Sequence, residues 1–259
     1  MTPKAGNRYR IEALAKGLDV LRLFDESVTA LKLREISART GIPMPTAFRV
    51  AATLEEAGFV ERLEDGSIRP GVAVLTLGSA ALRGSSIVQV SERPLRHLAE
   101  TTGETVNLGV LLGDQVLYLV RLRNSDLVTA NVQVGSTLPA PYTSLGKVLL
   151  AYLPVEERHA VLAQHDFSVV VGPNAAHSLE ELDELIEPIR RDGFAVQDQE
   201  VAAGLRSVSV PVFGAGDRPV AAINIAVAVN RHDVASLRGP LLDALSATAK
   251  DISLRLGAG

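Results

Sequence analysis

The sequence predicts an α+β chain: an N-terminal winged helix-turn-helix followed by a domain of antiparallel sheet and flanking helices. Three observations predict it. Between Leu31 and Gly71, two short stretches of helical spacing precede a hairpin with the charged tip Glu64-Asp65-Gly66. From Glu104 onward the apolar pattern changes to that of strands. Between and after those strands it returns to helical spacing, ending in an amphipathic run from Val234 to Leu256.

The elements follow in order. Ala13, Leu14, Leu18, Val20, Leu21 and Phe24 give a first helix an apolar face. Leu33, Ile36 and Thr40 set the second, and Gly41 stops it because glycine tolerates a left-handed C-terminus. A third helix begins near Pro45, where a missing N–H is not needed, and buries Ala47, Val50, Ala51 and Leu54. Gly58 ends it. Phe59–Leu63 and Ser67–Pro70 are the strands of the wing around an Asp-Gly turn. Such a unit places its third helix in a DNA major groove. The candidate DNA contacts are Arg34, Met44, Thr46 and Arg49 on the helices and Arg62, Ser67 and Arg69 on the wing.

The apolar, small-residue stretch 72–85 reads as a linker helix between a DNA-binding domain at 1–71 and a second domain at 86–259. In the second domain a helix spans Ser85–Thr102 with Pro94 as a break. Strands are expected at Thr105–Leu112, Val116–Leu122, Leu127–Val134, Phe194–Gln199, Arg206–Phe213 and Pro219–Val229. Helices are expected at Ser144–Tyr152, Pro154–Leu162 and Leu179–Asp192, all on one face of the sheet. Asn107, Tyr118, Asn131 and Asn224 are polar interruptions of apolar runs. They face either solvent or a small cavity with sparse polar anchors.

Charge refines the picture. The net charge is −4, yet residues 1–70 hold 11 basic and 10 acidic side chains against 15 and 20 in the rest. The DNA face is therefore a local patch, and assembly of subunits is needed to reach useful affinity. The chain has no cysteine, which excludes disulfides and cysteine metal sites. No apolar run approaches a membrane span, and MTPKAGNRYR lacks the apolar core of a signal peptide, so a cytoplasmic protein without a membrane partner is expected.

Catalysis is not expected. The five histidines are scattered without metal-ligand spacing, and no Gly-x-Ser-x-Gly elbow is present. Gly214-Ala215-Gly216 reads as a hairpin turn, and the acidic run 180–184 as a solvated helix face. No catalytic residue, metal or cofactor is expected. The competing reading is an enzyme acting on a small organic acid in the second domain, with the first as an interaction module.

Over nearly its whole length the chain resembles the IclR family of bacterial transcription regulators. The motifs are ALAKGLDVLRLF, REISARTGIP and TLEEAGFVER in the first domain. In the second they are TGETVNLGVL, VGSTLPAPYTSLGKVLLAYLP, RRDGFAVQDQEVAAGLRSVSVPV and RPVAAINIAV. Two positions depart from the family. Lys32 stands where Ser or Thr usually caps the second helix, and Met44-Pro45 where basic or small polar residues are usual. The resemblance implies a GAF-like effector domain, a double-stranded DNA operator, and assembly as a homodimer or dimer of dimers.

It also implies effector contacts at Leu127, Ala130, Leu138, Ser144, Leu145, Gln197, Ser207, Asn224 and Ala226. Tyr142 joins them as an aromatic wall. Ser144, opening its helix, is the expected seat for a carboxylate. The expected effector is a small organic acid, a hydroxybenzoate-like aromatic first and a short aliphatic acid second.

Overall fold

A computed structural model describes residues 9–25, 27–123, 132–169 and 171–259. The chain divides into two compact units, Met1–Gly84 and Ser85–Gly259. The expected strand residues Leu127, Ala130 and Asn131 lie outside the described residues.

In the first unit, α1 (Glu12–Leu21), α2 (Leu33–Thr40) and α3 (Met44–Glu56) enclose one small core. Val20, Ile36, Ala47 and Ala51 are its fully buried centre, closed by Val60 and Ile68 of the wing. The wing pairs β1 (Val60–Arg62) with β2 (Ile68–Pro70). Leu31 joins it through reciprocal bonds to Ile68 of 2.9 and 2.8 Å, so the wing is pinned to the segment entering α2. Gly41 closes α2 with φ of 69°, the left-handed region a β-carbon disfavours. Lys32 supplies no side-chain acceptor to α2, because an ammonium only donates. Its own N–H is instead taken by Glu35 at 2.6 Å, which keeps half of a capping box. The helix α4 (Val72–Gly84) ends the unit and buries none of its residues.

The second unit is a six-stranded, wholly antiparallel sheet of order β5-β4-β3-β8-β7-β6. Its strands are β3 (Thr105–Leu112), β4 (Gln115–Leu122), β5 (Thr137–Pro139), β6 (Ala195–Asp198), β7 (Leu205–Phe213) and β8 (Pro219–Ala228). The strand pairing with β4 is therefore at 137–139, later than the run expected at 127–134.

Helices cover both faces, not one as expected. On the first face α5 (Ser86–Thr102) and α10 (Pro240–Arg255) pack on Val106, Leu108, Val208, Val210, Ile223 and Ile225. On the second face lies α6 (Ser144–Ala151), every residue of which is buried. Behind α6 come α7 (Val155–Leu162), α8 (Leu179–Ile186) and α9 (Ile189–Asp192). Two-faced cover explains the runs of consecutive apolar residues in β7 and β8, which a sheet wet on one side would not have.

Two proline effects also differ from expectation. Pro188 divides the expected single helix into α8 and α9, while α5 runs through Pro94. Gly239-Pro240 fixes the start of α10, six residues later than the pattern suggested, with Pro in its first turn.

Candidate functional site

Two candidate surfaces stand in the two units. On the first unit, Arg49 is exposed on α3 at the edge of the groove it forms with α1, and Arg34 is exposed on α2. Among the described residues no ion pair engages either. Thr46 lies half-buried on the side of α3 that meets α1. Met44 is 46% exposed, and Phe48, one helical turn on, is 55% exposed. Sequence reasoning missed Phe48. An aromatic left in solvent beside Met44 at the start of a groove-reading helix is suited to thymine methyl groups.

The wing differs from expectation. Arg69 is bound to Glu61 on the paired strand, and Arg62 to Glu55 of α3 at 3.1 Å. Ser67 is buried and donates its hydroxyl to Asp65 at 2.6 Å, which shapes the turn. Ser67 is thus a turn residue and not an open DNA contact. The two wing arginines reach phosphate only by leaving a carboxylate.

The second surface is a cavity of about 40 Å³ between the second sheet face and the segment 199–205. It is built by strand alternation with one exception. In β3, β7 and β8, the residues alternate with those of the α5/α10 core, so Asn107, Ser207, Asn224 and Ala226 face the cavity side. In β4 the pairing shifts: Leu108 lies opposite Val120, and Gly109 opposite Tyr118. Leu119 is the extra residue of a bulge. The bulge inverts the parity of the strand, so that Tyr118 and Arg121, three residues apart, both reach the cavity.

The polar side chains form one line across the sheet. Arg121 Nη1 donates to Asn107 Oδ1 at 3.0 Å, and Asn107 Nδ2 to Asn224 Oδ1 at 2.8 Å. Asn224 Nδ2 donates to Ser144 Oγ at 3.4 Å. Ser144 and Ser207 share a hydroxyl contact of 2.7 Å, and Ser207 donates to Gln197 Oε1 at 3.3 Å. Gln197 is fully buried, and its Nε2 has no hydrogen-bond partner among the described residues. Burial pushes the Tyr118 phenol well above its ordinary value, so it remains a neutral O–H donor at the cavity wall.

Of the expected effector contacts, Leu138, Gln197, Ser207, Asn224 and Ala226 line this cavity. Ser144 joins the network from behind the lining. Its helix end is already capped, because Thr143 Oγ1 accepts the Gly146 N–H at 2.9 Å. This end of α6 is therefore a poorer carboxylate seat than the sequence suggested. Leu145 belongs to the core under α6 and not to the cavity. Tyr142 points elsewhere: its hydroxyl meets His165 Nε2 at 3.3 Å, and His165 Nδ1 meets Asp114 at 3.0 Å. Its ring lies edge-on to Phe167. Leu127 and Ala130 lie outside the described residues.

Asn107 and Tyr118 are legible in the sequence as polar interruptions; Arg121, Val201 and Ala202 are not. The signal for Arg121 is hidden by the bulge, since simple alternation puts it on the face opposite Tyr118.

Behind the cavity, α6 and the 199–205 segment are tied together. Lys147 Nζ donates to Glu200 Oε1 at 2.6 Å, to Oε2 at 2.8 Å and to the Val196 carbonyl at 2.8 Å. All three ammonium protons are used, and both side chains are under 10% exposed. Burial pulls the Lys147 amine down and pushes the Glu200 carboxyl up, and each charge opposes the other's shift. The neighbouring Gln199 has φ of 57°, a strained value for a residue with a β-carbon. No group of three or more metal-ligating side chains occurs among the described residues. None of their helices is alone long and apolar enough to cross a membrane.

Comparison with known proteins places these features. A family described as bacterial transcriptional regulator IclR C-terminal matches residues 79–254, and the IclR helix-turn-helix domain matches residues 13–64. The Pca regulon regulatory protein of Pseudomonas putida is 32% identical over 248 residues, covering 94% of this chain and 84% of that protein. An IclR family transcriptional regulator from Brucella abortus shares the fold at a TM-score of 0.84 with 26% identity, over 98% of this chain and 97% of that one. An IclR homolog complexed with 4-hydroxybenzoate, from Microbacterium hydrocarbonoxydans, has a TM-score of 0.73 and 29% identity, over 94% and 98%.

Proposed function

We propose that this chain, which belongs to the IclR family of bacterial transcription regulators, couples operator binding in the cytoplasm to a small organic acid. The family consists of transcription regulators, not enzymes. In this reading residues 1–71 bind double-stranded DNA, 72–85 link, and 86–259 hold the effector and take part in assembly. The regulated genes form a catabolic operon. The effector is a hydroxybenzoate-like aromatic acid first and a short aliphatic acid second.

The observation that carries the reading is the line of buried polar side chains ending at an unpaired Gln197 amide on a cavity wall. A buried donor without a partner costs about 1–3 kcal/mol, and a ligand oxygen would recover it. A protein similar to this chain is named for the Pca regulon, and a second was crystallised with 4-hydroxybenzoate, which favours the aromatic acid. The cavity as it stands has room for water and not for a ring. Entry of an acid therefore moves the 199–205 segment, whose Val201, Ala202 and Leu205 form one wall. That movement is the natural origin of a signal.

The test is fluorescence anisotropy of the full chain on duplex from its own promoter region and on random duplex, at moderate salt. The own-promoter duplex is expected to bind at least tenfold tighter, and 4-hydroxybenzoate or 4-hydroxybutanoate to change that affinity. Equal binding to both duplexes rejects the regulator. Arg49→Ala is expected to weaken operator binding by about 1–3 kcal/mol and to relax specificity, as loss of a base-edge contact would. Arg69→Ala is expected to act weakly and alike on all sequences, since its carboxylate contact competes with phosphate.

Assembly as a dimer or dimer of dimers is supported by the first unit. Leu14 and Leu18 of α1 and Leu75 and Leu77 of α4 are each about half exposed or more. Several of them border an apolar groove formed with α3. Apolar surface of this kind is uncommon on a monomer. Leu18→Glu is expected to raise the dimer dissociation constant at least tenfold. Sedimentation velocity checks it, and a monomeric wild type at micromolar concentration would reject the dimer.

A further inference from the structure

Resting on the reading of the first unit as an operator-binding unit, we infer that α3 reads its half-site through thymine methyl groups. Met44 and Phe48 meet the methyls, and Arg49 reads a guanine near them. The occupant of this exposed apolar face is thus a DNA major groove carrying thymine at the positions the two side chains reach.

What α3 lacks carries the inference. Residues 44–52 read MPTAFRVAA. Only Thr46 and Arg49 among them have a strong hydrogen-bonding group in the side chain. Thr46 is half-buried on the side that meets α1. That leaves Arg49, whose guanidinium donates and never accepts. In the major groove an amide side chain pairs with adenine, and a carboxylate accepts from cytosine. The first two turns of α3 hold neither an amide nor a carboxylate. A guanidinium matches the two acceptors of guanine, and an apolar side chain matches the methyl of thymine. Those are the two bases this helix is equipped to tell apart from the rest. The turn before α3 does not make up the deficit. Ser37 Oγ donates to the Ile42 carbonyl and Thr40 Oγ1 to the Ile36 carbonyl, both at 2.6 Å.

The apolar residues stand where such a reader needs them. Ala47 and Ala51 are buried toward the core, with Val50 and Leu54 beside them. Phe48 stands aside from that stripe, and Met44 precedes it by one turn. A helical turn advances about 5.4 Å and a base step about 3.4 Å, so the two side chains span bases one or two steps apart. Among the described residues, neither belongs to the core of the unit, and neither borders the groove between α1 and α3. Packing within the unit therefore does not explain their exposure, nor does the apolar assembly surface. Arg34 and Arg49, exposed and outside the described ion pairs, give the same unit the charge that phosphate attracts.

The experiment is fluorescence anisotropy of the full chain on three forms of the own-promoter duplex: unmodified, with deoxyuridine for thymidine, and with 7-deazaguanine for guanine. Each is paired with a random duplex carrying the same substitution, and the preference for promoter over random is read. Deoxyuridine removes the methyl and keeps the base pair. Wild type is expected to lose at least about fourfold of its preference with deoxyuridine, the worth of one buried methylene. With 7-deazaguanine it is expected to lose about fivefold or more, the worth of one hydrogen bond to a charged group. Met44→Ala combined with Phe48→Ala should abolish the deoxyuridine effect and keep the 7-deazaguanine effect. Arg49→Ala should do the reverse. Phe48→Leu, still apolar, should keep part of the deoxyuridine effect.

A wild type whose preference is unchanged by deoxyuridine overturns the inference without any variant and leaves the regulator standing. A double variant that loses as much with deoxyuridine as wild type also overturns it, because the methyl then acts through DNA shape or another residue. So does a double variant that sediments as a smaller species than wild type, since the two side chains then belong to an interface between copies. A wild type with no preference for unmodified promoter over random duplex rejects the operator-binding reading and the inference with it.

Discussion

Replacing Lys147 by Met should destabilise the second unit by about 3–5 kcal/mol, the usual cost of leaving one member of a buried ion pair without its partner. Glu200 would keep its carboxylate under cover, with the Asp198 N–H at 3.4 Å as its one other hydrogen bond among those described. The strained Gln199 and the cavity residues Val201 and Ala202 adjoin it, so the loss falls on the wall of the proposed effector site.

Two controls separate the pair from simple packing. Lys147→Met combined with Glu200→Leu should recover much of the loss, because an apolar replacement of a buried pair is often close to neutral. The pH dependence has a definite sign. Burial raises the Glu200 carboxyl even with Lys147 present, and without Lys147 only the Asp198 N–H still opposes that rise. A group whose folded pKa is raised adds stability that is complete below its unfolded value and is lost as pH rises through the folded value. The penalty of Lys147→Met should therefore shrink on acidification toward the unfolded value, here 4.5, and be full near neutrality. Urea unfolding of the full chain at about pH 5 and about pH 7.5 reads both effects. An unchanged midpoint at the higher pH would show that the pair contributes no stability.

The second large effect is expected at Gly146. A β-carbon there would overlap the Ala140 carbonyl oxygen and Cα and lie 2.6 Å from its carbonyl carbon. All three are backbone atoms, in the 3-10 turn Ala140–Tyr142 that leads into α6. No rotamer change relieves such a contact, so α6 must move away from the turn. Gly146→Ala is expected to cost about 3 kcal/mol or more, the upper range for inserted volume in a packed core. It should also disturb Ser144 and Lys147, which leave the same helix toward the cavity network and toward Glu200. Gly78 is the matched control. It lies in α4 with open space where a β-carbon would stand, so Gly78→Ala should gain about 0.5–1 kcal/mol of helix stability. Thermal unfolding of both variants checks the contrast, and equal effects would show that the close approach at Gly146 relaxes freely.

Much of the fold and part of the site are legible in the sequence. Gly41, Pro43 and the Asp65-Gly66 turn are local devices whose backbone preferences act within a few residues, and each stands where its chemistry placed it. Asn107 and Asn224 are noticeable because an amide in an apolar strand needs a partner, and they prove to be each other's. Tyr142 shows the opposite case. Its nearness in sequence to Ser144 suggests a shared wall, but the turn into α6 sends its side chain to His165 and Phe167.

The sequence by itself determined the order and type of most elements, the winged helix-turn-helix, the antiparallel second unit and the family, because periodicity, turn residues and motifs are properties of neighbours in the chain. Only the tertiary structure decided which face each polar residue occupies and what it meets. The bulge at Leu119 turns Arg121 toward the cavity, and register brings Asn107 beside an amide 117 positions away. Glu61 and Glu55 occupy the wing arginines, and helices cover both faces of the sheet where one was expected. The physical reason is that hydrogen bonds and charge pairs act over a few ångströms of space. Strand register, which sets those distances, is fixed by the packing of both sheet faces together and not by any one segment.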